Sequence, residues 1–332
     1  MKLLFVFTGG TIGSVEKNGV ADVDSSTSEK ISQLCSHEGD TIEFASPYNI
    51  LSENATEETL SDILNYMLSI DYDRFDGVIV THGSDTAAFT ANLLAHALAW
   101  VKIPIAVTAA NYVMTDPRSN ARDNITAAYT FIKDVYEHNS YACGVFFVWT
   151  NTGENPKIHI GSRLLEADGY HDSFDSFGRV YAEIKNGQLV ADRLPIYPDM
   201  RAKIQKGESA ALKNNVLLLH SYVGLDYRDI NIKGKAAVLL KLYHSGTACM
   251  GESAADSRSF LYLAVMCKKE GVDLYITPAK KGSYIYRSAE GFESTVACPL
   301  FGMSEYSAYT LLLLAYNTNN DYFYYRLKNN LN

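Results

Sequence analysis

The sequence predicts an α/β fold: a larger N-terminal doubly wound domain on a parallel sheet, followed by a smaller C-terminal α/β domain. Two observations predict it. Unbroken runs of Val, Ile, Leu and Phe recur at 3–7, 77–81, 105–108 and 143–149. Strands with one wet face alternate in polarity, whereas continuous apolar runs need cover on both faces, as in a parallel sheet. Between the runs lie loops bearing Gly or Ser, then helical patterns at 87–100 and 124–136. That is the rhythm of strand, loop and crossover helix.

In chain order, the first run enters Thr8-Gly9-Gly10-Thr11-Ile12-Gly13. Tyr48-Asn49-Ile50-Leu51 then leads to Ser52-Glu53-Asn54, and Thr56-Glu57-Glu58 opens a helix. The second run enters His82-Gly83-Ser84-Asp85-Thr86 and a helix, and the third ends at Thr108-Ala109-Ala110-Asn111. Residues 194–214, with Pro195, Pro198 and Gly207, carry no strand pattern and read as a linker. The expected domains are therefore 1–193 and 215–332. The second holds apolar runs at 216–219, 236–242 and 272–277 and helical patterns at 257–269 and 304–316. No solenoid repeat or low-complexity segment interrupts this order.

Composition narrows the function. The chain has 332 residues, 47% of them hydrophobic, and a net charge of −9 with no basic run. Phosphate contacts need clustered Lys and Arg, so a nucleic-acid partner is not expected. No apolar stretch approaches the ~20 residues that span a bilayer, so no membrane partner is expected either. Five scattered cysteines, with no Cys-x-x-Cys, read as reduced thiols, and the expected location is cytoplasmic. Tyrosine is abundant, 23 in all, with Tyr322, Tyr324 and Tyr325 near the C-terminus. Its apolar ring and polar tip suit an oligomer surface.

The strand-end loops carry the chemistry, because ligands of doubly wound folds bind beyond the carboxyl ends of the strands. Gly9 and Gly10 let backbone approach a ligand, with the hydroxyls of Thr8 and Thr11 beside them. The spacing is neither G-x-G-x-x-G nor a phosphate loop, and no G-x-S-x-G elbow exists. In the second loop Asp85 either caps the following helix or pairs with the ammonium of an amino acid, whose carboxylate hydroxyls and N–H groups would take. His82 reads as structural. Ser52 and Glu53 add a donor and an acceptor, and Ala109 ends the neighbouring strand. His159, His220 and His244 are isolated, so neither a metal nor a cofactor is expected. Hydroxyl nucleophile chemistry is what remains.

These residues resemble a known family. Thr8-Gly9-Gly10-Thr11-Ile12-Gly13 resembles the first signature of the bacterial-type asparaginase/glutaminase family, and His82-Gly83-Ser84-Asp85-Thr86 its second, usually H-G-T-D-T. Leu51-Ser52-Glu53-Asn54 resembles its substrate-binding segment, and the likeness continues through Tyr243-His244-Ser245-Gly246-Thr247-Ala248 and Gly302-Met303-Ser304-Glu305. The resemblance implies hydrolysis of an amino-acid side-chain amide through an acyl-enzyme. L-asparagine is the implied substrate, with glutamine or a related amide as alternative. Thr11 matches the nucleophile, and Ser84 and Asp85 match the second hydroxyl and the carboxylate. Ser52 matches the substrate-carboxylate site and Glu53 an ammonium site, with Gly10, Gly83 and Ala109 lining the pocket. A homodimer or homotetramer is implied too.

Two departures stand out. Where the family usually has a lysine, this chain reads Arg163-Leu164-Leu165-Glu166, with Leu165 or Glu166 in its place. Residues 14–46 also lack the tyrosine usual after the first signature. Lys157 and Arg163 are the nearby cations that could substitute electrostatically, and the expectation is modest turnover. The competing reading is an amino-acid binding or regulatory protein on the same scaffold.

Overall fold

The computed structural model describes residues 1–10, 12, 25–35, 39–151, 153–190, 195–204, 210–251, 253–279, 292 and 295–329. The chain divides into two compact units, Met1–Ala210 and Ala211–Asn332.

The first unit is built on eight strands: β1 (Lys2–Phe7), β2 (Thr41–Ala45), β3 (Gly77–Thr81), β4 (Pro104–Thr108), β5 (Gly144–Trp149), β6 (Lys157–Ile160), β7 (Ala182–Lys185) and β8 (Gln188–Val190). They lie in the order β2-β1-β3-β4-β5-β6-β7-β8. The first five run parallel and the last three antiparallel. β1, β3, β4 and β5 are buried almost throughout, which is why their sequences are continuously apolar.

Both faces are covered. Leu3, Phe5 and Phe7 cluster with Ile79, Phe146 and Val148 against Ile125, Ala128, Phe131 and Ile132 of helix α4 (Ala121–Glu137), with Ile31 of α1 (Ser25–Leu34) alongside. The α4 spacing of three and four residues is that of one helical face. Leu4, Val6, Val78 and Val80 alternate with these and are equally buried. Helices α2 (Glu57–Ser69) and α3 (Ala87–Ala97) pack on each other, and α3 packs on β5. Thr56 caps α2 by accepting from the Thr59 N–H, and Glu57 and Glu58 occupy its first turn, where acidic groups favour the helix dipole.

The second unit is a four-stranded parallel sheet in the order β12-β11-β10-β9, from β9 (Val216–His220), β10 (Ala237–Lys241), β11 (Asp273–Ala279) and β12 (Cys298–Phe301). Helix α5 (Phe260–Glu270) starts at Ser259, whose hydroxyl accepts from Leu261 N–H, and stops at Gly271, left-handed at φ 67°. Helix α6 (Glu305–Asn317) is capped by Ser304, and its Glu305 forms an ion pair with Lys241 at the end of β10. Helix α7 (Asp321–Asn329) carries the tyrosines near the C-terminus, of which Tyr324 and Tyr325 are exposed. Among the described residues no helix is long and apolar enough to cross a membrane.

One buried histidine makes the first unit acid-sensitive. His159 on β6 is fully buried; its Nδ1 meets Ser176 Oγ at 2.8 Å, and its Nε2 has no partner among the described residues. Burial pushes its pKa from the ordinary 6.5 down to about 4, against the pull of Asp175 and with the help of Lys157. In that window the unfolded chain holds a proton that the folded chain lacks. The stability is therefore fully present above pH 6.5 and lost as pH falls toward 4. It amounts to roughly 3 kcal/mol. Urea unfolding across this range should show His159→Gln flattening the pH dependence; an unchanged slope would assign it to other groups.

Candidate active site

The order of strands reverses between β1 and β3: the chain leaves β1 for β2 on one side and then crosses to β3 on the other. Such a switch point opens a crevice beyond the carboxyl ends of the two strands. Phe7 pairs with Thr81 there, so the loops that follow start at one level. Thr8 donates to the Thr81 carbonyl from its N–H at 3.2 Å and its Oγ1 at 2.8 Å.

The glycines of the first loop sit where other backbone is too near for a side chain. Gly9 bridges to Ile50, and a Cβ there would lie 2.2 Å from the Ile50 carbonyl oxygen. Gly10, at φ 79°, would place a Cβ 2.5 Å from the His82 carbonyl oxygen and 2.7 Å from the Gly83 nitrogen. Ile50 N–H donates to Thr8 O at 3.1 Å, which draws the Ser52 segment alongside. Thr11, the expected nucleophile, lies outside the described residues, as do 13–24.

Ser52 begins a short 3-10 turn, Ser52–Asn54, and is buried. Its Oγ donates to Asp85 Oδ2 at 2.9 Å, and its carbonyl accepts from Thr86 Oγ1 at 3.1 Å. Gly83 passes so near that a Cβ there would sit 2.3 Å from Ser52 Oγ. Asp85 is exposed and Ser84 half-buried, just before α3. Glu53, next on the Ser52 turn, is exposed. Ala109 follows Thr108, whose carbonyl takes the His82 N–H at 2.9 Å, and Asn124 Nδ2 holds the Ala109 carbonyl at 2.8 Å. The structure thus brings Gly10, Ser52, Gly83 and Asp85 together by direct approach, with Ser84 between them and Ala109 on the adjoining strand end.

The two expected cations stand apart from this group. Lys157 Nζ pairs with Glu154 Oε2 at 2.5 Å. It lies at the site edge of the sheet, because β6 runs antiparallel and Lys157 faces Trp149. Three strand spacings separate β6 from β3, about 14 Å. Arg163 turns toward Gly178, whose Cβ would lie 4.0 Å from its Nη1. Neither cation makes a hydrogen bond or ion pair with Ser52, Ser84 or Asp85 among the described residues. The segment after Arg163 does approach. Gly161 lies against Ala91 and Ala95, and Asn92 Nδ2 donates to both Ala88 O and Leu164 O, at 2.7 and 3.0 Å. The chain therefore climbs α3 toward its first turn, carrying half-buried Leu165 and exposed Glu166.

The sequence reading assigned no individual role to several residues around the site. Thr86 ties Ser52 to the α3 start, and Asn92 ties α3 to the 164–166 segment. Asn124 bridges Ala109 O and Thr150 N, at 2.8 and 2.7 Å. Asn111 and Asn120 exchange side-chain bonds with each other's N–H at 3.2 and 3.1 Å, closing the loop between them. The signal was present: an Asn inside an apolar helix needs a partner, and here each finds a backbone group. Among the described residues no group of three or more His, Cys, Asp or Glu could hold a metal ion.

Residues 2–190 match the family model described as asparaginase, N-terminal. The L-asparaginase of Thermococcus kodakarensis is 32% identical over 248 residues, covering 70% of this chain and 75% of that protein. One component of the glutamyl-tRNA(Gln) amidotransferase of Saccharolobus islandicus is 28% identical over 233 residues, 68% of this chain but only 51% of that component, about half its length. In three dimensions, the thermostable L-asparaginase from Thermococcus kodakarensis superposes with a TM-score of 0.75, over 99% of this chain and 96% of that one at 22% identity, which shows the fold. The class is a hydrolase of amide C–N bonds on a two-unit α/β scaffold. The chain belongs to the asparaginase family.

Gly83→Ala tests the three-loop contact. The methyl group must displace Ser52, so the variant should lose roughly 1–3 kcal/mol of stability. It should also bind amino acids more weakly by calorimetry. Affinity equal to the parent's would show that the Ser52–Asp85 bond plays no part in binding.

Proposed function

We propose that the protein hydrolyses the side-chain amide of L-asparagine, or of a closely related amino acid, to the carboxylate and ammonia. The observation that carries this is the Ser52 Oγ–Asp85 Oδ2 bond of 2.9 Å across the switch point. A donor and a carboxylate held that close suit the two charged ends of one amino acid. Asp85, with Glu53 beside Ser52, takes the ammonium; Ser52 takes the carboxylate. Gly10, Gly83 and Ala109 supply backbone walls.

The bound amino acid then presents its amide to Thr11. The Thr11 oxygen attacks the amide carbon, the C–N bond breaks, and ammonia leaves with the hydroxyl proton. Water hydrolyses the ester and restores Thr11. A threonine hydroxyl is a weak nucleophile and needs its proton moved. Ser84, the second hydroxyl of the site, relays it. Positioned proton transfer contributes typically 10²–10⁴-fold, so a chain with Leu165 and Glu166 where relatives usually carry a lysine turns over modestly. Of the two substitute cations, Lys157 is the better placed, since it shares the site edge of the sheet.

The reading extends to a homodimer or homotetramer, supported by exposed aromatic surface. Tyr141 and Tyr197, 57% and 60% exposed, pack against each other with ring centroids 4.8 Å apart. It extends to a reducing, cytoplasmic setting, supported by five free thiols.

Ammonia release from a panel of amides tests the activity. Thr11→Ala should abolish it while the melting temperature holds, and wild-type turnover in that variant would remove Thr11 from the mechanism. Asp85→Asn keeps shape and removes charge, so aspartate affinity should fall by roughly 1.5–3 kcal/mol. Thr86, not Asp85, is the N-cap of α3, so unchanged affinity would leave Asp85 only its bond to Ser52. Binding of amino acids with no ammonia released at any pH would favour the binding-protein reading.

A further inference from the structure

His82 precedes Gly83-Ser84-Asp85 and is buried, 2% exposed. Its two ring nitrogens both have partners. Nδ1 lies 2.8 Å from the carbonyl oxygen of Gly83, and Nε2 lies 3.0 Å from Oγ1 of Thr90, one helical turn into α3. A carbonyl can only accept, so Nδ1 carries the hydrogen. Nε2 is then the lone-pair nitrogen and the Thr90 hydroxyl donates to it. Burial lowers the pKa of the ring, which keeps it neutral and this tautomer in place.

The Gly83 carbonyl and the Ser84 N–H belong to one planar trans peptide and point in opposite directions. Fixing the carbonyl on the buried ring therefore aims the Ser84 N–H away from it. That N–H has no partner among the described residues. The same peptide plane sets where the Ser84 side chain leaves the backbone. Asp85 and Ser52 are anchored separately, through their mutual bond and through Thr86 Oγ1 to Ser52 O.

We propose that His82 is a positioning residue for Ser84: by holding the Gly83–Ser84 peptide in one orientation it keeps the Ser84 hydroxyl at the reacting centre. The proposal rests on the reading of Ser84 as the proton-relaying hydroxyl. It separates two jobs: the Ser52–Asp85 pair holds the amino acid through its own bonds, and Ser84, oriented through the ring, relays the proton.

The test compares steady-state kinetics of four variants, with melting temperatures to confirm folding. The amide nitrogen of an asparagine occupies the place of imidazole Nδ1, and that of a glutamine the place of Nε2. H82N therefore keeps a donor to the Gly83 carbonyl, and H82Q loses it. H82Q should lower kcat by about 10- to 100-fold, the scale of a small misplacement of a reacting group, with KM little changed. H82N should restore most of kcat. T90V, which is nearly isosteric, removes the donor to Nε2, and a several-fold fall in kcat at constant KM is expected even where H82Q folds poorly. S84A supplies the reference. If S84A loses turnover while H82Q and T90V match the parent, the positioning role is wrong and the Ser84 reading stands. If H82N is as impaired as H82Q, or if KM rises in step with the fall in kcat, the ring is only a structural prop and the proposal fails. If S84A keeps full turnover, the Ser84 reading and the proposal fall together.

Discussion

Beyond the ends of β1 and β3 three stretches of chain come so near to one another that only glycine fits at three of the crossings. Gly9 touches Ile50, Gly10 touches the His82–Gly83 peptide, and Gly83 touches Ser52. The crossing is possible because the strand order reverses at this point, which opens a crevice between the loops that leave the two strands. It is stable because the strands beneath are buried on both faces and cannot splay. The Ser52–Asp85 bond follows from that compression, since two residues 33 apart in sequence meet only when their loops are pressed together.

The polar stitches around the crevice act on backbone more than on other side chains. Asn92, Asn111, Asn120 and Asn124 each hold a carbonyl or an N–H that a loop would otherwise leave unpaired. A buried backbone group without a partner costs about 1–3 kcal/mol, so these amides let loops pass through low-dielectric surroundings at the strand ends. They also leave half-buried Ser84 and exposed Asp85 on a rim whose own geometry is fixed from below. His82 belongs to the same layer, with a ring that reaches one carbonyl and one hydroxyl.

The parallel strands were legible because a strand covered on both faces must be apolar throughout, as at β1, β3, β4 and β5. The edges were not. β2 is half-exposed, and Glu43 on it pairs with Lys2 and Arg74, so its pattern lacks the apolar run. β6 to β8 are three or four residues long. The hairpin between β7 and β8 turns at Asn186-Gly187, both at positive φ, a residue pair that tight hairpin turns favour and that the sequence reading passed over. At the site, the three polar loops could be read from the sequence, and the structure brings Gly10, Ser52, Gly83 and Asp85 of those loops into close approach. The direction of the 161–166 segment could not be read, because it depends on the small residues Ala88, Ala91 and Ala95 that let the chain lie in a groove of α3. A sequence shows those alanines as ordinary helix formers.

That groove has a mechanical meaning. The first turn of α3 follows Asp85 directly, while the flank of the same helix carries Leu164 through Asn92 and Gly161 through close backbone contact. The Ser84–Asp85 loop and the 161–164 segment are thus fastened to one rod. A small slide or tilt of α3 on the sheet carries Ser84, Asp85 and the 164–166 segment along as a body, and the spacing among them is preserved. Loops bolted to separate supports would accumulate the displacements of each. Here the scaffold can breathe while this part of the crevice keeps its internal distances.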